Sequence, residues 1–146
     1  MEKKLSDLYQ DVILTNNKTP YHFEKAQEMS HSIEAYNPLC GDHFHVYFEL
    51  ENNTIKQAYF HGYGCAISKA STSVLLQQIE GKTLEEIRPI ITEFLQIVHG
   101  EKTDSSQADF LAFAAAKYFP SRDQCATLAW GSLESFLKEA SQSDKE

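Results

Sequence analysis

The chain has 146 residues, with 21 Asp and Glu against 13 Lys and Arg, for a formal net charge of −8. That length is enough to bury an apolar core without disulfide staples, so residues 1–146 read as a single domain with a frayed polar tail from 141 to 146. The acidic balance and the lack of a dense Lys/Arg block argue against nucleic acid and anionic membrane as partners, because neutralising phosphates needs a basic surface.

The N-terminal Met1-Glu2-Lys3-Lys4-Leu5 is charged and has no apolar run behind it, so neither a secretory signal nor a transmembrane helix is expected. A cytoplasmic protein is the expectation. Apolar residues at Leu5, Leu8, Tyr9, Val12 and Ile13 then follow helical spacing, giving an amphipathic helix to about Asn16. Residues 15–21, with Asn16, Asn17 and Pro20, read as a loop, and an edge strand is expected near 29–35.

From His43 to Leu50 the pattern alternates, Phe44, Val46, Phe48 and Leu50 on one face and His43, His45, Tyr47 and Glu49 on the other. Asn52-Asn53 tolerates the left-handed backbone of a tight turn, so residues 54–61 should return as an antiparallel partner. Two glycines then precede Cys65, and a helix is expected over residues 66–80 with Ile67, Ala70, Val74, Leu75 and Ile79 inward and Gly81 at its end. Thr83 and Glu86 form a capping box for a third helix, where Pro89 should cause a kink or a late start. A helix over about 106–118 ends at Phe119-Pro120, and Ser121 with Gln124 repeats the capping pattern before a last helix running on through Leu137. The fold class is α+β, a small antiparallel sheet of about three strands with helices packed on it.

The chemistry lies in three cysteines, Cys40, Cys65 and Cys125. A reducing compartment rarely keeps structural disulfides, so metal binding or thiol chemistry explains them better. No C-x-x-C pair exists, and each alone would read as a small buried hydrophobe. Their settings speak otherwise. Cys65 and Cys125 sit at helix starts, where unpaired amides and the helix dipole favour thiolate. Cys40 lies in the turn-rich Asn37-Pro38-Leu39-Cys40-Gly41-Asp42, and a hairpin between Cys40 and Cys65 brings those two loops to one end of the sheet. Three sulfurs and one carboxylate make a tetrahedral shell suited to zinc. Asp42 reads equally as a ligand or as a turn residue. His43, His45 and His61 flank the hairpin ends near that site, but a strand's polar face is solvated by default. Small residues at Ala66, Ser68, Ala70, Ser71 and Ser73 leave room for neighbouring backbone.

Three motifs in this order, Asn37-Pro-Leu-Cys40-Gly-Asp42, Gly62-Tyr-Gly-Cys65-Ala-Ile-Ser-Lys-Ala-Ser-Thr-Ser73 and Arg122-Asp-Gln-Cys125-Ala-Thr-Leu-Ala-Trp130, resemble the U-type iron–sulfur assembly proteins, the IscU/NifU N-terminal family. The sixty residues between Cys65 and Cys125 resemble its SufU branch more closely. IscU-type scaffolds carry a Leu-Pro-Pro-Val-Lys chaperone segment and a histidine just before the third cysteine. This chain has Phe119-Pro120-Ser121-Arg122 and Gln124 there instead. The resemblance implies zinc on Cys40, Asp42, Cys65 and Cys125, with Cys40 accepting sulfur from the persulfide of a SufS-like cysteine desulfurase and Arg122 assisting docking or catalysis. It further implies passage to downstream Suf assembly proteins, by a sulfurtransferase-like relay rather than a stand-alone enzyme. The same thiolates suit iron or a [2Fe–2S] cluster, so a scaffold that builds a cluster and passes it to apo-proteins is the alternative.

Overall fold

A computed structural model describes residues 5–25, 29–38, 41–105, 107–114 and 122–143. The order is α1 (Leu5–Lys18), β1 (His31–Asn37), β2 (Asp42–Glu51), β3 (Thr54–Tyr63), α2 (Ala66–Ile79), α3 (Leu84–Val98), α4 (Ala108–Ala112) and α5 (Arg122–Ser143). The strands form one antiparallel sheet in the order β1-β2-β3. The α+β class expected from the patterning is the one observed. None of the helices among the described residues is long and apolar enough to cross a membrane.

The alternation over residues 43–50 sets the sheet's two faces. Phe44, Val46 and Phe48 are fully buried, and His43, His45 and Tyr47 lie on the opposite, partly exposed side. Asn52 and Asn53 both take positive φ, 52° and 64°, the conformation of the two-residue hairpin turn between β2 and β3. The edge strand falls at His31–Asn37, two residues beyond the expected span, and pairs Ile33 with Val46 and Ala35 with Phe44.

Helix α2 differs from expectation. Instead of one apolar face it is buried almost all round, including Ser68, Ser71, Thr72 and Ser73. Its hydroxyls are satisfied by neighbouring helices: Ser73 donates to Asn16 Oδ1 of α1 at 2.7 Å, and Ser71 donates to the Ala126 carbonyl of α5. The small side chains let both helices approach closely while the buried hydroxyls of α2 keep hydrogen-bond partners.

The Thr83–Glu86 capping box is present, Glu86 N–H donating to Thr83 Oγ1 at 3.2 Å and Thr83 N–H to Glu86 Oε1 at 3.0 Å. Those bonds hold the Glu86 carboxyl below its usual range. With that cap in place, α3 starts at Leu84 and runs through Pro89 to Val98, so the late start expected at the proline does not occur. Phe94 of α3 stacks on Trp130 of α5 at 3.8 Å between ring centroids, with Phe110 of α4 edge-on to the same indole at 5.4 Å. Trp130 Nε1 donates to Ser71 Oγ at 2.8 Å, which supplies the partner a buried indole requires.

The helix expected over 106–118 is described as Ala108–Ala112 with a tighter turn at 113–114. The Phe119-Pro120 stop and the Ser121 cap lie outside the described residues, whereas α5 extends to Ser143, into the stretch expected to fray.

Two substitutions gauge this framework by urea denaturation. Thr83→Ala should lower the unfolding free energy by about 1 kcal/mol through loss of the cap. Phe94→Ala, which empties the aromatic stack, should cost about 3–5 kcal/mol; equal losses from the two would contradict this ranking.

Candidate metal centre

The site grows from the β2–β3 register. His43 pairs with Tyr63, so Asp42 at the start of β2 lies level with the residues leaving β3, Gly64 and Cys65. Gly62 makes this crossing possible. Its φ is +142°, and a Cβ there would stand 2.2 Å from the His43 carbonyl oxygen. Gly64 then leaves the space a carboxylate needs, for its own Cβ would fall 2.8 Å from Asp42 Oδ1 and 2.6 Å from Ser68 Oγ.

Through that gap Asp42 Oδ1 accepts the Cys65 amide hydrogen at 2.9 Å. Cys65 is the N-cap of α2, and its sulfur accepts from the Ser68 amide at 3.5 Å where a hydroxyl or carboxylate oxygen more usually sits. Ser68 Oγ lies 3.6 Å from the same sulfur and donates to the Cys65 carbonyl at 3.1 Å. The sequence showed Ser68 only as a small residue. Its offset of three from an N-cap cysteine is the signal that marks it as the sulfur's partner.

Cys125 arrives from the other side as the fourth residue of α5, the helix clamped to α2 by the bonds that join Ser71 to Ala126 and Trp130. The donor atoms of Asp42, Cys65 and Cys125 all lie within 4.8 Å of one another. Cys65 Sγ and Asp42 Oδ2 are 4.0 Å apart, close to the edge of about 3.6 Å spanned by sulfur and oxygen ligands of a tetrahedral zinc. Asp42 and Cys125 are each 1% exposed, and Cys65 is partly exposed.

Contrary to the thiolate expected for Cys125 at a helix start, burial pushes its thiol well up from the ordinary value, and hydrogen bonding with Cys65 and Asp42, then their charge, push it the same way. Accumulating negative charge in so small and dry a space is costly. A divalent cation reverses that preference and deprotonates the thiols. Two thiols and a carboxylate thus fit a borderline-soft divalent ion.

Of the residues singled out in the sequence, Asp42, Cys65 and Cys125 are brought together. Cys40 lies outside the described residues, in the four-residue connection between Asn37 and Asp42. Arg122 is the first residue of α5, three before Cys125, and its side chain lies outside the described residues. Among the described residues no histidine joins this group: His43 and His45 cluster with Glu34 instead.

This fold and this carboxylate–dithiol pocket belong to one class of protein. The model of the NifU-like N-terminal domain matches residues 8–126, and the chain belongs to that family. It is 34% identical over 132 residues to the zinc-dependent sulfurtransferase SufU of Bacillus subtilis, a match covering 89% of each chain. It is 32% identical to the iron–sulfur cluster assembly scaffold protein IscU of Streptococcus pyogenes, covering 92% of this chain and 86% of that one. Among solved structures it superposes with a TM-score of 0.80 and 31% identity on the protein assigned as the SUF-system assembly scaffold of Fervidobacterium islandicum, over 88% of this chain and 95% of that one.

Two outcomes test the pocket. Gly64→Ala should displace the Asp42 carboxylate and weaken divalent-ion binding at least about tenfold, measured by competition with a chromogenic chelator. In metal-free protein the raised Cys125 pKa means that the folded state keeps a proton the unfolded state releases. That contribution is fully present below the ordinary thiol pKa of about 8.5 and is lost as pH rises above it. Thermal unfolding of the metal-free protein should therefore show falling stability above about pH 8.5, whereas ion affinity should rise over the same range as binding releases thiol protons; a flat metal-free profile would contradict this.

Proposed function

We infer that this protein is an iron–sulfur cluster assembly component that takes sulfur from the persulfide of a cysteine desulfurase, with zinc seated on Cys40, Asp42, Cys65 and Cys125. The observation that carries the reading is the convergence of Asp42, Cys65 and Cys125 donor atoms within 4.8 Å at the sheet's end, where the loop bearing Cys40 also begins. Two residues of chain span at most about 7 Å, so Cys40 cannot stray far from Asp42. The likeness to a zinc-dependent sulfurtransferase supports the choice of metal.

Zinc supplies redox-inert charge that keeps the thiols deprotonated and tolerates ligand exchange. Asp42, Cys65 and Cys125 would hold the ion, and Cys40, in the connection between the exposed residues Pro38 and Gly41, would be the thiolate able to leave. Its sulfur attacks the outer sulfur of the partner's persulfide. A new S–S bond forms on Cys40, the partner's S–S bond breaks, and the electron pair leaves with the partner's cysteine as thiolate, with no net oxidation. Arg122, at the start of the helix bearing Cys125, assists docking or the transfer. The cytoplasm and the downstream Suf assembly proteins complete the setting of this reading.

A second reading, a scaffold on which a [2Fe–2S] cluster is built and passed on, is favoured by the likeness to the IscU scaffold. Metal analysis of protein purified without oxygen, paired with desulfurase stimulation, separates the two. One tightly held zinc and a stimulated desulfurase are expected; a visible cluster transferable to an apo-ferredoxin would instead establish the scaffold. Cys40→Ala should abolish sulfur acceptance while Arg122→Ala lowers it, both followed by trapping the acquired persulfide with an alkylating probe. Undiminished acceptance by Cys40→Ala would remove that residue from the role.

A further inference from the structure

The face of the sheet that carries His43 and His45 holds a second cluster of donors. β1 and β2 pair Glu34 directly with His45, and His43, two residues earlier on the same face of β2, is its diagonal neighbour. His43 Nε2 lies 3.2 Å from Glu34 Oε1, and His45 Nε2 lies 3.5 Å from Glu34 Oε2. All three donors fall within 4.8 Å of one another.

These separations fit a direct ion pair and also leave room for a shared cation. Ligands at about 2.05 Å from a tetrahedral zinc stand about 3.3 Å from each other; each imidazole nitrogen lies near that distance from one of the two Glu34 oxygens, His43 from Oε1 and His45 from Oε2. His43 Nε2 is shut off from solvent and has no hydrogen bond, although the Glu34 oxygen is near. The ring is held in that orientation by Tyr36, 4.9 Å away between ring centroids, by Tyr63 at 6.0 Å and by His45 at 4.9 Å.

We propose that Glu34, His43 and His45 form a second divalent-metal site, taking a zinc-class ion through two imidazoles and one carboxylate. Imidazole and carboxylate donors suit borderline divalent metals, and three protein ligands leave a fourth position for water or an incoming donor. Glu34 is exposed, so the ion exchanges with solvent and binds more weakly than in the thiol pocket. Strand alternation separates the two sites: Asp42 turns its side chain into the protein and the adjacent His43 turns outward, so the two sites share no ligand.

Isothermal titration with Zn²⁺ alone tests the proposal. The parent should take up a second, weaker equivalent, and that equivalent should weaken at least about tenfold both in the His43→Ala/His45→Ala double variant and in Glu34→Gln. Glu34→Gln changes one exposed side chain, so its result does not depend on the double variant folding normally. A Cys65→Ser/Cys125→Ser variant should lose the tight equivalent and keep the weak one, which separates this site from the thiol pocket whatever that pocket carries. A parent that binds no second equivalent, or unchanged second-site affinity in the double variant or in Glu34→Gln, would overturn the proposal.

Discussion

The Asp42 carboxylate does two things at one place. Oδ1 accepts the Cys65 amide hydrogen at 2.9 Å, and Oδ2 stands 4.0 Å from that residue's sulfur. The first contact ties the beginning of β2 to the beginning of α2, so the sheet and the central helix share a fixed corner. The second sets a hard oxygen beside a soft sulfur. Both depend on strand register. A slip of one residue would turn Asp42 to the solvent face and bring His43 inward, exchanging the thiol pocket's carboxylate for an imidazole. Gly62 and Gly64 guard that register locally, since any side chain at either position collides with β2 backbone or with Asp42 itself.

The other half of the pocket depends on α2 being buried on nearly every side. An ordinary surface helix offers one apolar stripe, but α2 must pack against α1, α5 and the sheet together. Small hydroxyl residues solve the spacing. Ser71 takes the Trp130 indole hydrogen and donates to the Ala126 carbonyl, one residue beyond Cys125. Ser73 accepts from the Tyr21 amide while donating to Asn16, which fixes α1 and the chain that follows it. Cys125 is therefore positioned from its own helix, by the bonds that hold Ala126 and Trp130 to Ser71, as well as by its contacts with Cys65 and Asp42 in the pocket.

Much of this was legible because local chemistry and tertiary structure agree. The two-residue alternation from His43 gave the buried face of β2, Asn52-Asn53 gave the hairpin, and Thr83 with Glu86 gave the start of α3. What stayed hidden depended on partners distant in sequence. The serines of α2 read as small residues that leave room for neighbouring backbone, but the hydrogen bonds they make appear only once the neighbouring helices are in place. Pro89 suggests a kink or a late start, yet at the sixth residue of a helix capped at Thr83 it removes only one internal hydrogen bond, and the helix starts at Leu84. Glu34 has no local signal at all, and becomes a neighbour of His43 and His45 only once β1 has paired in register.

The pocket's uneven exposure bears on how it can work. A group that accepts and passes on sulfur needs donors that retain the metal and one donor that departs, and the same residue cannot do both at once. Asp42 and Cys125 are sealed at 1% exposure, Asp42 by the sheet and Cys125 by the packing of α5 on α2. Cys65 is partly open, yet it is bound into the helix cap by the Ser68 amide and into the corner by Asp42. Its release would unpick the start of α2. The remaining cysteine sits in a connection whose Gly41, at φ +74°, has nothing within 4 Å of where a Cβ would be. On the proposed reading, retention is thus built into the sheet and the two helices, while departure is left to the one donor whose movement would cost the fold least.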